Sequence, residues 1–232
     1  MPSKPFIFFD IGHTLVTGAA QSPRRLLGEA LRLDEKQTKR VGKLLMTLPC
    51  TDPETLSDAI GRILPDHDRK RILRTVREIW EDQILCVREI EPATELIRTL
   101  KDHGCSVGLI SNIWHPFLEG FRQTCSEIFR LSDFSLFSYR FGKKKPDPSV
   151  YETARRAAQE AGAGSCWMVG DSYELDIAPA RKAGMKGLWI LCRPEREREL
   201  LVEILNGRTP RPEGCVPSLG EVLRFFEKEG VH

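Results

Sequence analysis

The chain has 232 residues, of which 41% are hydrophobic and 29% are charged, and its formal net charge is +2. This composition is typical of a globular protein that forms one large domain, or one domain with an insertion. So small a net charge gives no support for a nucleic acid or a membrane surface as a partner.

The cysteine content and the hydrophobic segments indicate the expected compartment. The seven cysteines are odd in number, widely spaced and without a Cys-x-x-Cys pair, so we expect neither a disulfide framework nor a zinc site. No segment has the pattern of a signal peptide or a membrane span. We therefore expect a cytoplasmic protein with reduced thiols.

The first predicted element is a strand over residues 6–9, where four apolar residues run directly into Asp10. Gly12 and Thr14 follow, so the pattern predicts a buried strand, an exposed carboxylate and then a tight turn. In a parallel sheet such an acid lies at the edge where open α/β folds bind their ligands. Asp10 is therefore a candidate nucleophile or metal ligand.

The segment over residues 22–86 predicts consecutive helices without a strong strand. Ser22-Pro23 and Asp52-Pro53 each have the form of an N-cap followed by proline at the first helical position. Apolar residues recur at helical spacing in two stripes, around residues 26–33 and 72–80. The segment therefore predicts a helical insertion after the first strand.

Helices and strands alternate from residue 91 onward. The predicted helices span residues 92–100, 116–129, 148–161, 176–183 and 219–227, and the predicted strands span residues 105–110, 134–138, 166–169 and 188–191. This alternation predicts a parallel sheet that is covered on both faces. Two charged runs, residues 69–74 and 193–199, are interpreted as solvated helix surfaces.

Polar side chains follow several of these strands, at the ends that a parallel sheet brings to one edge. They are Asp10, Ser111, Asn112, Asp171 and, five residues further on, Asp176. A loop with Lys145 between further lysines and Pro146 adds an ammonium group. Carboxylates for a hard cation, a hydroxyl and a lysine form a set that suits phosphoryl groups and Mg²⁺.

Four segments resemble, in the same order, the motifs of the haloacid dehalogenase (HAD) superfamily, in its branch with a small helical cap. They are FFDIGHTL, GLISN, GKKKPDPSVYETA and MVGDSYELDIAPARKAGM. The resemblance covers nearly the whole chain. It implies an α/β fold with a Rossmann-like, doubly wound parallel sheet as core, residues 1–15 plus 90–232. An inserted small all-helical cap domain, residues 16–89, would close over the site and select the substrate.

The resemblance also implies a role for each matching residue. Asp10 would attack phosphorus and form an aspartyl-phosphate, while Ser111 and Lys145 would hold the transferring phosphoryl oxygens. The expected Mg²⁺ ligands are Asp10, the backbone carbonyl of Gly12, Asp171 and Asp176. An acid at position 176 would also be favoured by the dipole at a helix N-terminus. Asp176 can bind a metal ion and stabilise the start of a helix at the same time.

Gly12 departs from the family's pattern, because family phosphatases usually carry a second aspartate there. That aspartate protonates the leaving alcohol, and losing such a group typically costs about 10²–10⁴ in rate. His13 titrates near neutrality and is an alternative acid, although a simple turn residue is the favoured interpretation. Gly12 and His13, together with Asn112, are the candidate substrate-binding residues.

Three functions stay open, and the favoured one is a Mg²⁺-dependent phosphatase that acts on a small phosphorylated metabolite. The second is other HAD chemistry: phosphonate cleavage through a cap lysine, or dehalogenation, which the retained acids disfavour. The third is a binding protein that has lost hydrolysis. The candidate cap lysines are Lys36, Lys39 and Lys43.

Further partners are constrained only weakly by the sequence. Arg24, Arg25 and Arg32 lie in the cap among interspersed acids, so a strongly anionic ligand tail is left open. We expect no nucleic-acid and no membrane partner, and either a monomer or a homodimer.

Overall fold

The structure is a computed structural model that describes residues 4–231. Its strands are β1 (Phe6–Phe9), β2 (Val16–Thr17), β3 (Arg88–Glu89), β4 (Ser106–Ser111), β5 (Phe134–Phe137), β6 (Cys166–Gly170), β7 (Lys186–Ile190) and β8 (Gly214–Val216). Six of them form a parallel sheet in the order β5-β4-β1-β6-β7-β8. This order reverses direction between β1 and β6, which is the kind of switch point where doubly wound sheets bind ligands.

Helices connect and cover the strands. They are α1 (Pro23–Leu31), α2 (Glu35–Thr47), α3 (Pro53–Ile63), α4 (Arg69–Leu85), α5 (Ala93–Asp102), α6 (His115–Thr124), α7 (Ser126–Leu131), α8 (Ser138–Phe141), α9 (Pro148–Glu160), α10 (Ala178–Lys182), α11 (Arg198–Leu205) and α12 (Val222–Lys228). A π-helical turn, Tyr173–Ile177, precedes α10, and a 3₁₀ turn, Leu219–Glu221, precedes α12.

Strand β1 shows how the sequence produces a two-sided core. Successive side chains of a strand point to opposite faces. Phe6 and Phe8 pack in one hydrophobic cluster with residues of α9 and α10, whereas Ile7 and Phe9 pack in a second cluster with residues of α5 and α6. All four side chains are buried, so both faces of the sheet are covered. The expected doubly wound α/β fold is confirmed.

The helices α1–α4 form an insertion between β1 and the rest of the sheet, with a hydrophobic cluster of their own. Asp34, Asp52 and Asp68 cap the starts of α2, α3 and α4 through their carboxylates, as acids at such positions usually do. The cluster reaches the sheet-bearing part through Trp114, whose ring packs edge-on against Trp80 at a centroid distance of 5.6 Å. The inserted all-helical unit of the expected fold is therefore present.

The chain enters and leaves the helical insertion side by side. Strands β2 and β3 pair in antiparallel fashion, with Val16 opposite Glu89 and Thr17 opposite Arg88. The backbone N–H of Ile90 donates to the carbonyl of Leu15 at 2.9 Å. This ribbon lies at the predicted boundaries of the cap domain, although the boundaries themselves stay a prediction.

Some elements differ from the sequence-based expectations. The helix predicted over residues 116–129 is broken at Cys125 into α6 and α7, and the helix predicted from residue 176 is preceded by the π-helical turn. Helices α8 and α11 and strands β2, β3 and β8 are short elements that the hydrophobic pattern did not indicate. Elements of two to eight residues span too few periods for a pattern to identify them.

Two expectations about the whole chain concern membranes and thiols. Within the described residues, no helix is both long enough and apolar enough to cross a membrane. All seven cysteines lie in the described part of the chain and are free thiols, three of them buried.

Candidate active site

Three aspartates converge at the edge of the sheet where β1 and β6 end. Asp10 follows β1, Asp171 follows β6, and Asp176 lies in the π-helical turn. One carboxylate oxygen from each can be chosen so that all three lie within 4.8 Å of one another. The residues are only 7%, 8% and 1% exposed, respectively. The structure therefore brings together the three acids that the sequence predicted to meet.

The π-helical turn positions Asp176 through the residues just before it. The backbone N–H of Ser172 donates to Asp176 Oδ2 at 3.0 Å, and the Ser172 hydroxyl accepts from the N–H of Leu175 at 3.2 Å. A Cβ on Gly170 would lie 2.4 Å from Asp176 Cγ, so only glycine allows this close approach. Wide turns of this type are frequent at functional sites.

Lys145 sits between two of the three acids. Its ammonium donates to Asp10 Oδ1 at 2.7 Å, to Asp176 Oδ1 at 2.5 Å and to the carbonyl of Ile110 at 3.1 Å. The side chain is 3% exposed, so these are buried ion pairs. The three acceptors use all three N–H donors of the ammonium and fix its position.

Asn112 holds the backbone of Lys145 in place. Its Nδ2 donates to the Lys145 carbonyl at 2.9 Å, and its Oδ1 accepts from the Lys145 N–H at 2.7 Å. The sequence suggested substrate binding for Asn112, which stays a prediction, whereas this positioning contact was not foreseen. Ser111 is the last residue of β4 and is 4% exposed, next to the Ile110 carbonyl that Lys145 contacts.

Arg193 is a residue of the site that sequence reasoning missed. It lies in the loop after β7, and its guanidinium donates to Asp171 Oδ2. The interpretation of residues 193–199 as a solvated helix surface is wrong for this residue, because α11 begins only at Arg198 and Arg193 turns towards the acids. Its place three residues after the end of the buried strand β7, in a loop at the same edge of the sheet as Asp10 and Asp171, was the available signal.

The three acids and their partners perturb one another. Burial, reinforced by the Asp10 charge, raises the pKa of Asp171 to about 6 although Arg193 opposes the shift. Burial also raises the pKa of Asp176. Burial alone would lower the pKa of the Lys145 ammonium, but the Asp10 and Asp176 carboxylates outweigh that effect and raise it. Lys145 therefore stays charged at neutral pH.

A cavity of about 440 Å³ lies over this edge of the sheet, between the helical insertion and the strand ends. Gly12, His13 and Asn112 contribute to its wall from the loops after β1 and β4, while Met46 and Gln83 contribute from the insertion. A cavity of this volume is of the size that small-molecule sites have.

Comparison with known proteins identifies the family of the chain. The model of the family described as haloacid dehalogenase-like hydrolase matches residues 6–184, which is more than half of the chain. The chain belongs to this family.

Relatives of the chain include phosphatases and dehalogenases. It is 27% identical over 200 residues to a glyceraldehyde 3-phosphate phosphatase of Pyrococcus abyssi, covering 79% of each chain. The structure of the HAD protein YfnB from Bacillus subtilis, bound to magnesium, superposes with a TM-score of 0.58 at 16% identity, over 98% of this chain and 100% of YfnB. A 2-haloacid dehalogenase from Pseudomonas syringae superposes with a TM-score of 0.58 at 17% identity, over 97% and 99%. At such identities the structural likeness establishes the fold alone.

Within this HAD hydrolase, the turn after β1 has room for the side chain that Gly12 lacks. A Cβ built on Gly12 would meet nothing within 4 Å. His13 is exposed and has a left-handed backbone, with φ 60°. Partial desolvation of the ring, followed by the charge of the nearby Arg193 guanidinium, lowers the pKa of His13, which disfavours the protonated imidazolium form.

The donor set of the HAD hydrolase fits Mg²⁺. Among residues 4–231, the site has three buried carboxylates but only two cationic side chains, Lys145 and Arg193, within hydrogen-bond distance of them. The raised pKa of Asp171 is the sign of a charge that the protein alone does not fully compensate. Oxygen ligands are the ones that Mg²⁺ prefers, so the acids could hold it together with a backbone carbonyl such as that of Gly12.

Proposed function

We propose that this HAD hydrolase is a Mg²⁺-dependent phosphatase that acts on a small phosphorylated metabolite. The observation that supports it is the convergence of three buried carboxylates with one fixed ammonium group at the switch point of the sheet. A cation site beside a positioned nucleophile suits phosphoryl transfer, where positioning and electrostatic stabilisation do most of the work.

In the proposed reaction, Asp10 is the nucleophile. One of its carboxylate oxygens bonds to phosphorus while the bond from phosphorus to the ester oxygen breaks. The ester oxygen leaves with the electron pair as an alkoxide and takes its proton from water. Water then attacks the phosphorus of the aspartyl-phosphate, which releases inorganic phosphate and restores the Asp10 carboxylate. Lys145 Nζ already contacts Asp10 Oδ1 at 2.7 Å and would neutralise the charge that develops on the phosphoryl oxygens.

The remaining residues have supporting roles in this proposal. Ser111 would donate its hydroxyl to a phosphoryl oxygen, and Asn112 would keep Lys145 in position through its two hydrogen bonds. Mg²⁺, held by the Asp10, Asp171 and Asp176 carboxylates and the Gly12 carbonyl, would supply positive charge at the phosphoryl group. The first step needs a proton for the leaving alcohol, and Gly12 cannot give one.

The lack of an acid at position 12 predicts a slow enzyme for alkyl phosphates. An alkoxide that leaves without a proton is a poor leaving group, whereas aryl and acyl phosphates leave readily. The missing acid–base group is expected to cost about 10²–10⁴ in rate on alkyl esters. An acid at position 12 would also activate the water that attacks the aspartyl-phosphate. Because Gly12 cannot do this, the aspartyl-phosphate is expected to accumulate.

The helical insertion would act as a cap in this proposal. Residues 16–89 are the proposed cap domain, and residues 1–15 with 90–232 are the proposed core. The paired strands β2 and β3 support these boundaries, because both chain passages cross there. A cytoplasmic location and a monomeric or homodimeric state stay predictions.

The comparisons support a phosphatase more than the alternatives. The Pyrococcus abyssi relative is named as a phosphatase, and the Bacillus subtilis neighbour binds magnesium. Dehalogenases are also among the structural neighbours, but dehalogenation needs no metal and does not account for three buried acids at one point. Phosphonate cleavage would need a buried cap lysine, whereas Lys36, Lys39 and Lys43 are exposed.

A panel of phosphate esters, assayed with and without Mg²⁺, tests the proposal. We expect Mg²⁺-dependent release of phosphate, with p-nitrophenyl phosphate turned over faster than alkyl esters. Asp10→Asn is expected to abolish turnover, while Asp102→Asn, at an exposed position in the last turn of α5, serves as the matched control.

Mass spectrometry of the intact protein during turnover is expected to detect a phosphorylated form that is absent in Asp10→Asn. Full activity of Asp10→Asn would show that the nucleophile is wrong. No hydrolysis of any ester would favour the binding protein over the phosphatase.

A further inference from the structure

The cavity beside Gly12, His13 and Asn112 continues into a second one, of about 490 Å³, and five residues line both. We call the two together the cleft. Its cationic side chains come from the insertion and from two core loops; they are Arg24, Arg25, Lys39, Lys43, Lys144 and Arg196. Among the residues described by the structure, no aspartate or glutamate lines the cleft. Acids that are interspersed with these cations in the sequence, such as Glu29 and Asp34, are outside this lining.

Among these six cations of the described chain, only Lys39 has a charged partner of its own, Glu35 at 2.5 Å. Within residues 4–231, the side chains of Arg24, Arg25 and Arg196 form no hydrogen bond and no ion pair. The stem of Arg24 lies against Gly42 on α2, where a Cβ would be 3.0 Å from Arg24 Cδ. Arg24 and Arg25 come from the insertion, and Arg196 comes from the loop after β7, so arginines line the cavity from both walls.

These groups are separate from those that contact the proposed nucleophile. Lys145, in contact with Asp10 and Asp176, serves the transferring phosphoryl group, and it does not line either cavity. Guanidinium groups bind carboxylates and phosphates in a bidentate manner, and several of them without acids between them select for anions. A neutral alcohol portion of a substrate would leave three arginines without a counter-charge.

We propose that the substrate carries, besides the phosphoryl group that is transferred, a second anionic group, a carboxylate or a phosphate, which Arg24, Arg25 and Arg196 bind in the cleft. This inference rests on the proposed phosphatase function and names its substrate class. Apolar side chains of the cleft, such as Met46 and Phe117, would pack against the carbon chain between the two anionic groups.

Matched pairs of substrates test this inference. Glyceraldehyde 3-phosphate and 3-phosphoglycerate differ only in an aldehyde against a carboxylate. Fructose 6-phosphate and fructose 1,6-bisphosphate differ in one phosphate. In at least one pair, kcat/KM is expected to be about 10- to 100-fold higher for the more anionic member, as for a charge-assisted hydrogen bond. The pair that shows the preference tells whether the group is a carboxylate or a phosphate.

Variants of the arginines identify the groups responsible. Arg24→Ala removes a guanidinium from one wall of the cleft, and Arg196→Ala removes one from the other. For the substrate pair that shows the preference, each variant is expected to lower the ratio of kcat/KM, more anionic over less anionic substrate, by about 10-fold. Arg24→Lys is expected to restore part of the ratio. Arg74→Ala, on an exposed face of α4 outside the cleft, is the matched control and is expected to leave the ratio unchanged. Raising the ionic strength to about 0.5 M is expected to reduce the preference through screening.

The outcomes separate this inference from the proposed function. Equal kcat/KM within both pairs, with hydrolysis of the single-phosphate esters intact, would overturn the second anionic group and leave the phosphatase standing. A preference that survives both alanine substitutions would overturn the assignment to these arginines. Absence of hydrolysis throughout, including p-nitrophenyl phosphate, would overturn the proposed function itself.

Discussion

Replacing Asp171 by asparagine is expected to stabilise the protein in the absence of Mg²⁺ while removing its activity. The Asp171 carboxylate is 8% exposed, and burial raises its pKa from 3.8 to about 6. A group whose pKa is higher in the folded state stabilises the fold at low pH. That contribution is complete below the unfolded pKa and is lost as the pH rises through about 6. At neutral pH the buried, charged carboxylate of Asp171 therefore lowers the free energy of unfolding. A neutral asparagine avoids this cost.

The size of the effect follows from the shift in pKa. A rise from 3.8 to about 6 is roughly two units, and each unit corresponds to about 1.4 kcal/mol. Asp171→Asn is therefore expected to raise the free energy of unfolding by about 3 kcal/mol at pH 8 and by only about 1 kcal/mol at pH 4.5. The Arg193 side chain, which is 29% exposed, can turn to water once its partner is neutral.

Urea denaturation with EDTA, followed by tryptophan fluorescence at both pH values, measures this difference. At pH 8, Mg²⁺ at 100 times its Kd would add about 2.7 kcal/mol to the native protein alone and is expected to cancel most of the difference. At about 1,000 times its Kd it would add about 4.1 kcal/mol and is expected to reverse the order of stability. Asp102→Asn, at an exposed position, is expected to change the stability by less than about 0.5 kcal/mol. A variant that is less stable than the native protein at pH 8 without Mg²⁺, or a gain that does not depend on pH, would refute the reasoning.

Two further substitutions test the turn after β1 and the support of Lys145. Gly12→Asp places an acid where a Cβ meets nothing within 4 Å, so it is expected to raise kcat on alkyl phosphates by about 10² or more. Gly12→Asn is the isosteric control. If kcat does not rise in Gly12→Asp, the missing acid does not limit the rate. Asn112→Ala loses the hydrogen bonds of 2.9 and 2.7 Å to the Lys145 backbone. It is expected to lower the free energy of unfolding, measured by urea denaturation, by about 2 kcal/mol and to lower kcat. Asn206→Ala, at the exposed end of α11, is its control, and an equal effect of both would argue against positioning.

The fold could be predicted well because its signals are local. Four apolar residues before Asp10 specify a strand with two buried faces, and the alternation of helices with strands specifies a parallel sheet. Parallel strands bring their carboxyl ends to one edge. The meeting of Asp10 with Asp171 and Asp176 therefore follows from the order of elements without any knowledge of side-chain packing.

The partners of these acids could not be predicted in the same way. Arg193 is 22 residues from Asp171 and lies in a charged run, where composition favours a solvated surface. Asn112 and Lys145 are 33 residues apart and meet through two loops. Loops have no period that sets the direction of a side chain, so these contacts depend on how the flanking helices pack.

The sequence by itself determined which side chains end the strands, and hence where a cation and a phosphoryl group would bind. Only the tertiary structure decided what surrounds that site. The acids that follow Arg24 and Arg25 along the chain, such as Glu29 and Asp34, lie outside the cleft, which is left positively charged. The physical reason is that strand order is fixed by local patterns, whereas the charge of a cleft depends on which faces of distant helices and loops meet.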